Sequence, residues 1–125
     1  GGFGAAKNLC DFAVKGADMT VQPDLLKFAQ AMREAGKPVG LICIAPAMSA
    51  RIFGAGVEFT IGNDADTAAV ITAMGGKHVD CPVDKAVIDK RNKLVTTPAY
   101  MLAGKVSEAA AGINACVRDV LGLCG

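Results

Sequence analysis

Gly40-Leu41-Ile42-Cys43-Ile44-Ala45-Pro46 is the stretch whose residue types and spacing could do chemistry. An apolar run without polar alternation reads as a central parallel strand covered on both faces, and it ends in a cysteine. Pro46 then suits the first turn of a helix, where a missing N–H costs little. A strand-to-helix turn of this kind projects a side chain above the edge of a sheet. Amide N–H groups at a helix start favour thiolate over thiol, so Cys43 is the candidate nucleophile for attack on a carbonyl carbon. The Ile44 amide would face the same space and suit a developing oxyanion. An inert cysteine filling the end of a core strand accounts for the same residues, because free cysteine is usually buried.

Gly1-Gly2-Phe3-Gly4 could lie beside that turn if a strand ended just before it, offering the Gly2 or Phe3 amide as a second oxyanion donor. A plain turn explains a glycine-rich opening equally well. Neither GxGxxG nor a P-loop motif occurs, so no nucleotide-phosphate cradle is indicated. Thr96-Thr97-Pro98-Ala99-Tyr100 ends another strand and could line the same sheet edge. Phe3, Pro46, Thr97, Pro98 and Tyr100 are the candidate pocket walls, with core packing as the competing account. His78 is the single imidazole of the chain. Any Cys-His proton transfer must use it, yet its spacing gives no reason to place it near Cys43. Glu58, Asp64 and Asp66 could act as acid, base or hard-metal ligand, but strand surface and helix capping explain them more simply. No metal or cofactor is expected.

The elements that must position these residues come from a chain of 125 residues, 52% hydrophobic and 20% charged, with a formal net charge of +1. One core is expected, and the balance provides no field for a nucleic acid or an anionic membrane surface. Fifteen glycines and no tryptophan imply an aliphatic core with close backbone approach, as in layered α/β proteins. Five cysteines at 10, 43, 81, 116 and 124 form no CxxC pair, so neither a disulfide framework nor structural zinc is indicated. No apolar run is long enough for a membrane span, and a soluble chain in a reducing compartment is expected. The opening reads as the inside of a loop, which makes this the later part of a longer chain.

Periodicity predicts a turn at 1–4, a helix over 5–12 with Leu9 and Phe12 on one face, a loop to Thr20, and an amphipathic helix from Pro23 to Gly36 carrying Leu25, Phe28, Ala29 and Met32. A strand follows at 39–43, then a helix over 46–53. Strand 57–61 precedes a helix capped by Asp66 or Thr67 and stopped by Gly75-Gly76. Residues 79–83 and 86–88 are extended candidates. Asp89 to Lys93 is a solvated hairpin turn, its basic side chains facing water, before strand 94–97. The chain after Pro98 is helical to about Leu121, with Val106, Ala110, Ile113, Val117, Val120 and Leu121 as its apolar stripe. Alternating strands and helices imply crossovers over a mostly parallel sheet. Three or four strands are few for an open sheet of this kind, which implies that N-terminal strands are missing.

Gly1 to Leu9, Cys43-Ile44-Ala45-Pro46-Ala47 and Val95 to Met101, in this order, resemble the ElbB/ES1 branch of the class I glutamine amidotransferase-like, PfpI-type superfamily. The likeness runs over essentially all 125 residues. It implies a flavodoxin-like three-layer sandwich of which this chain is the C-terminal part. It also implies Cys43 as elbow nucleophile, oxyanion amides around Gly2 and Ile44, and an acidic neighbour supplied by the absent N-terminal half. PfpI-type hydrolases carry a histidine directly after the nucleophile; here Ile44 stands there, which argues against a Cys-His protease or glutaminase. The resemblance further implies a weak cofactor-free glyoxalase, a lyase turning glyoxal into glycolate, with a link to isoprenoid biosynthesis. The implied partners are a small aldehyde, a second copy in a homodimer and the missing half, with no nucleic acid or membrane. The implied location is cytoplasmic for a bacterial member and mitochondrial for a eukaryotic one. A noncatalytic metabolite-binding or regulatory protein that keeps the elbow as scaffold is the alternative.

Overall fold

The computed structural model describes residues 1–125. Six α-helices and five strands form an α/β fold with a mixed sheet: α1 (Gly2–Leu9), α2 (Phe12–Lys15), α3 (Pro23–Glu34), β1 (Val39–Ile42), α4 (Ser49–Phe53), β2 (Glu58–Phe59), α5 (Ala65–Ala73), β3 (Lys77–His78), β4 (Val87–Asp89), β5 (Leu94–Thr97) and α6 (Val106–Gly122). β5 is the central strand of a three-stranded sheet, parallel to β1 on one side and antiparallel to β4 on the other. β2 and β3 form a separate parallel pair. All four residues of β5 are buried.

Local sequence explains most of these elements. Pro23 opens α3, where the Gln22 side chain accepts the Leu25 N–H at 2.8 Å. Gly36, at φ +70°, ends that helical stretch in a conformation that glycine adopts without penalty. β4 and β5 form the expected hairpin, but its turn is not solvated throughout: Asp89 is the last residue of β4 and is buried with Asn92, and it organises the turn. This buried carboxylate accepts from Asn92 N at 3.0 Å and Asn92 Nδ2 at 2.8 Å, and also from Glu58 N at 2.9 Å. Thr96 Oγ1 likewise accepts from Thr60 N at 2.9 Å. Two side chains thus join the small sheet to the larger one where no backbone ladder does.

Several boundaries depart from the periodicity. The opening is not a turn, because α1 already begins at Gly2 and ends at Leu9, with Phe12 starting a separate short helix. Strand 57–61 contracts to Glu58–Phe59 and pairs with Lys77–His78, while the extended candidate 79–83 forms no strand. Asp64, not Asp66 or Thr67, occupies the N-cap of α5. Residues 99–101 form a 3-10 turn apart from α6. The buried face of α6 is Ala109, Gly112, Ala115 and Cys116, while Val106, Val117 and Leu121 are exposed. Small residues win that face because the helix lies close on the sheet: a Cβ at Gly112 would collide with the carbonyl oxygen of Val83 and with Thr97 Oγ1.

One core cluster joins Met19, Val21 and Ala29 to Met48, Ile52, Phe53, Val57 and Leu94, and a second gathers Phe59, Ile61 and Ile71 around Ala47 and Ala68. The segment 45–53 therefore works as a buried brace, with only Arg51 exposed. The Arg51 guanidinium turns back to donate to the carbonyls of Met19 and Ala17 at 2.9 and 2.6 Å. β1 is parallel to its neighbour as expected, but it lies at the edge of the sheet and is only partly covered. No helix is long and apolar enough to cross a membrane.

Candidate functional site

The last rung between β1 and β5 is Cys43 N–H donating to the carbonyl of Thr97 at 3.0 Å. At that residue the backbone leaves the extended region: Cys43 has φ +69°, left-handed for a residue with a Cβ. Such a conformation costs about 1–2 kcal/mol and persists only where surrounding packing imposes it. The imposing structure is the fully buried 3-10 turn Ala45–Met48, which starts immediately and takes Pro46 in its first positions. The sharp turn expected after the apolar strand is therefore present, and Cys43 is half-buried at its apex.

Gly2 completes the turn from the other side. A Cβ built there would lie 2.5 Å from Ile42 O, 2.8 Å from Cys43 Cβ and 3.3 Å from Ile44 N. Only glycine lets the first turn of α1 approach so closely. The earliest amides of a helix have no partner within it, so α1 brings unpaired N–H groups and the positive end of its dipole toward Cys43. Gly2, Cys43 and Ile44, singled out on sequence as nucleophile and amide donors, meet at one point.

Gly2 and Cys43 also line an open cavity of about 620 Å³ that runs along β1. Its wall is apolar at 15 of 19 residues and includes Phe28 and Met32 of α3, Leu41 of β1 and Ile113 of α6. No carboxylate or imidazole side chain is on that wall. Of the five expected pocket walls, Tyr100 alone lines the cavity, and it is exposed. Phe3 points to solvent, while Pro46, Thr97 and Pro98 are buried in the packing beneath the turn. Thr97 Oγ1 is occupied as a donor to Lys85 O at 2.7 Å. The Thr97 hydroxyl also lies against the Gly112 position of α6, so it packs toward that helix and not into the cavity.

His78 is elsewhere. Its ring packs edge-on to Phe59 at 5.3 Å, Nε2 accepts the Ile61 N–H at 3.2 Å, and Nδ1 is 3.5 Å from Asp80. Burial of the ring, opposed by the Asp80 carboxylate, pushes its pKa below the ordinary value. This imidazole is outside the cavity, and its contacts are those of a structural acceptor. Glu58 pairs with Lys77 at 2.9 Å on the strand surface, as expected of it, and Asp64 stands at the N-cap of α5, where its carboxylate accepts from Thr67 Oγ1 and not from a helix N–H.

Sequence reasoning missed Ala99. It has φ +44°, is fully buried, and opens the 3-10 turn one residue beyond Pro98, which follows β5. The connections leaving two adjacent parallel strands therefore each contain a left-handed residue that is not glycine, one residue after β1 and two after β5. The Thr-Pro-Ala signal suggested a strand end but not a strained one. Among the other cysteines, burial raises the pKa of Cys10 and Cys81, and it pushes Cys116 up to about 11.

No family model matches the chain. It is 44% identical over its whole length to half of the human "Glutamine amidotransferase-like class 1 domain-containing protein 3, mitochondrial". It is 42% identical, with the same coverage, to the rat "ES1 protein homolog, mitochondrial". A solved "isoprenoid biosynthesis protein with amidotransferase-like domain" from Ehrlichia chaffeensis superposes at a TM-score of 0.85 with 31% identity, over 98% of this chain and 56% of that one. The chain spans about half the length of the curated relatives it matches.

Proposed function

Because the chain is homologous to the ES1/ElbB-like branch of the class I glutamine amidotransferase-like, PfpI-type superfamily, we propose that it is the C-terminal part of a flavodoxin-like sandwich whose N-terminal half completes the site. The reading assigned to that site is weak, cofactor-independent conversion of glyoxal to glycolate. The Cys43 thiolate adds to one aldehyde carbon, and the Gly2 and Ile44 amides hold the resulting oxyanion. A proton then moves from the carbon bearing sulfur to the neighbouring carbonyl carbon, leaving a glycolyl thioester. Water cleaves that thioester, releasing glycolate and the thiol. A carboxyl group from the N-terminal half is the proposed proton carrier. The observation that carries this reading is the left-handed Cys43 held against Gly2. The printed name of the Ehrlichia protein supports a link to isoprenoid biosynthesis. The names of the human and rat relatives support a mitochondrial site for a eukaryotic member, and a cytoplasmic one is proposed for a bacterial member.

The test is glycolate formation from glyoxal by the complete chain and by its Cys43→Ala variant. Turnover lost in the variant supports the enzyme; equal turnover in both removes Cys43 from the chemistry. A second reading is a noncatalytic metabolite binder, supported by the apolar lining of the cavity beside Cys43. A reversible mass adduct on Cys43 without product would select it. Homodimerisation is proposed by family analogy, to be read from the solution mass of the complete chain.

A further inference from the structure

The wall of the Cys43 cavity offers few groups to a polar substrate. Among its 19 residues, the side chains that bear a thiol, hydroxyl, amide, amine or carboxyl group are those of Cys43 and Tyr100. A carbonyl compound has an electrophilic carbon and an acceptor oxygen, so a thiol and a phenolic donor on one wall complement it. Strand register brings the two together. Ile42 lies opposite Thr97 in the parallel pair, and Cys43 N–H donates to Thr97 O at 3.0 Å, so β1 and β5 run out at the same end of the sheet. Cys43 is the first residue past β1, and Tyr100 is in the 3-10 turn that follows β5 after Pro98.

The turn that carries Tyr100 is anchored on every side but one. Ala99 is fully buried at φ +44°, a conformation that a residue with a Cβ rarely adopts and that surrounding structure must impose. Its carbonyl accepts the N–H groups of Leu102 and Ala103 at 3.1 and 3.0 Å, and Pro98 O accepts that of Met101 at 3.0 Å. Met101 packs against the cluster of Phe59 and Ile61, and Leu102 lies against Gly62. The ring of Tyr100 alone turns outward, 62% exposed and on the cavity wall. A ring left out of the core forgoes the burial that usually decides where an aromatic side chain goes. The neighbouring hydroxyls are already engaged: Thr96 Oγ1 accepts from Thr60 N at 2.9 Å, and Thr97 Oγ1 donates to Lys85 O at 2.7 Å. Tyr100 Oη is the hydroxyl of residues 96–100 that remains for a ligand.

Resting on the reading of Cys43 as the group that adds to an aldehyde, we propose that Tyr100 is a second substrate-binding group of this site, and that its hydroxyl makes the site discriminate 1,2-dicarbonyl compounds from simple aldehydes. The Cys43 thiolate adds to one carbonyl carbon, the Gly2 and Ile44 amides hold the oxygen of that carbon, and Tyr100 Oη–H donates to the oxygen of the adjacent carbonyl. No bond to Tyr100 forms or breaks. As the proton leaves the carbon bearing sulfur, negative charge collects on the oxygen that Tyr100 holds, so the hydrogen bond is stronger in the transition state than in the adduct. A simple aldehyde has no second oxygen and gains nothing from the hydroxyl.

The test compares the complete chain with its Tyr100→Phe variant, using glyoxal and acetaldehyde as probes. Each probe is read by how far it protects Cys43 from iodoacetamide, which requires no turnover, and glyoxal also by glycolate formation. Tyr100→Phe should weaken protection by glyoxal about 5- to 10-fold and leave that by acetaldehyde within about twofold. It should lower kcat for glyoxal about 100-fold, more than it raises KM. With no aldehyde present, Cys43 alkylation and the urea midpoint should be the same in both chains, which separates a ligand contact from a change of fold. Protection by glyoxal that is unchanged in Tyr100→Phe, or that falls equally with acetaldehyde, overturns the role of Tyr100. Glycolate formation abolished by Cys43→Ala and intact in Tyr100→Phe overturns it as well, while sparing the glyoxalase reading. Selective loss of glyoxal protection in Tyr100→Phe, with no glycolate from either chain, supports Tyr100 as a binding group and overturns the glyoxalase reading instead. Protection by neither aldehyde in the unaltered chain overturns both.

Discussion

Gly2 and Cys43 touch in a way that permits no side chain on the first: a Cβ at Gly2 would be 2.8 Å from that of Cys43. One contact therefore sets both the position of α1 and the shape of the turn that presents the thiol. Gly1, one residue earlier, has open space at its Cβ position and is a matched control.

Gly2→Ala is expected to destabilise the chain by about 1–3 kcal/mol, since backbone of β1 must shift to admit the methyl group. Gly1→Ala should change stability by less than about 0.5 kcal/mol. Urea unfolding measures both. Alkylation of Cys43 should change only in the Gly2 variant, and equal effects from the two substitutions would show that the contact is not made.

The left-handed backbone at Cys43 stores strain that a glycine would release. Cys43→Gly should be more stable than Cys43→Ala by about 1 kcal/mol, the reverse of the usual order in a strand. Comparing the two variants cancels loss of the thiol. Alanine proving the more stable would place residue 43 in an ordinary conformation.

Asp89 links the hairpin to β2, and its burial would raise its pKa. Hydrogen bonds from the Asn92 side chain and from the Glu58 and Asn92 amides outweigh that burial and hold it below the ordinary value. A carboxyl more acidic when folded contributes stability that is complete above about pH 4 and is lost as pH falls through its folded value. Asp89→Asn should cost about 1–3 kcal/mol at pH 7 and flatten this acid limb. Urea midpoints between about pH 2 and 7 provide the measurement.

His78 works at higher pH and by a different route. Its lowered pKa means that the unfolded chain takes up a proton more readily, so its contribution is complete above about pH 6.5 and falls as pH drops toward the folded value. Protonation also places a donor on Nε2, against the Ile61 N–H. His78→Gln, which keeps an acceptor without the titration, should remove the slope that sets in below about pH 6.5. A slope unchanged in the variant would assign it to other groups.

Cys116 is the built-in negative control for thiol chemistry. With its pKa pushed up to about 11, its thiolate fraction at pH 8 is on the order of 10⁻³. Iodoacetamide should label it at least about 100-fold more slowly than the exposed Cys124. Comparable rates would mean that the face of α6 carrying Cys116 opens in solution.

The sequence by itself determined the elements whose signals are local. Apolar Val39 to Ile42, Pro23 at a helix start and the turn before Leu94 each act within a few residues, and each element lies where expected. The strand-to-proline turn after Cys43 was legible for the same reason, whereas Gly2, 41 positions away in sequence, was placed beside it only conditionally and by the family resemblance. Tertiary structure decided what depends on distant partners. Thr97 and Pro98 were buried in the packing rather than lining the cavity, His78 was engaged by Ile61, and small residues took the buried face of α6 while Val106, Val117 and Leu121 stayed exposed. It also put β1 at an edge. Periodicity records that a residue is apolar, but which of two apolar faces is buried depends on how close another element comes, and Gly112 set that distance from across the fold.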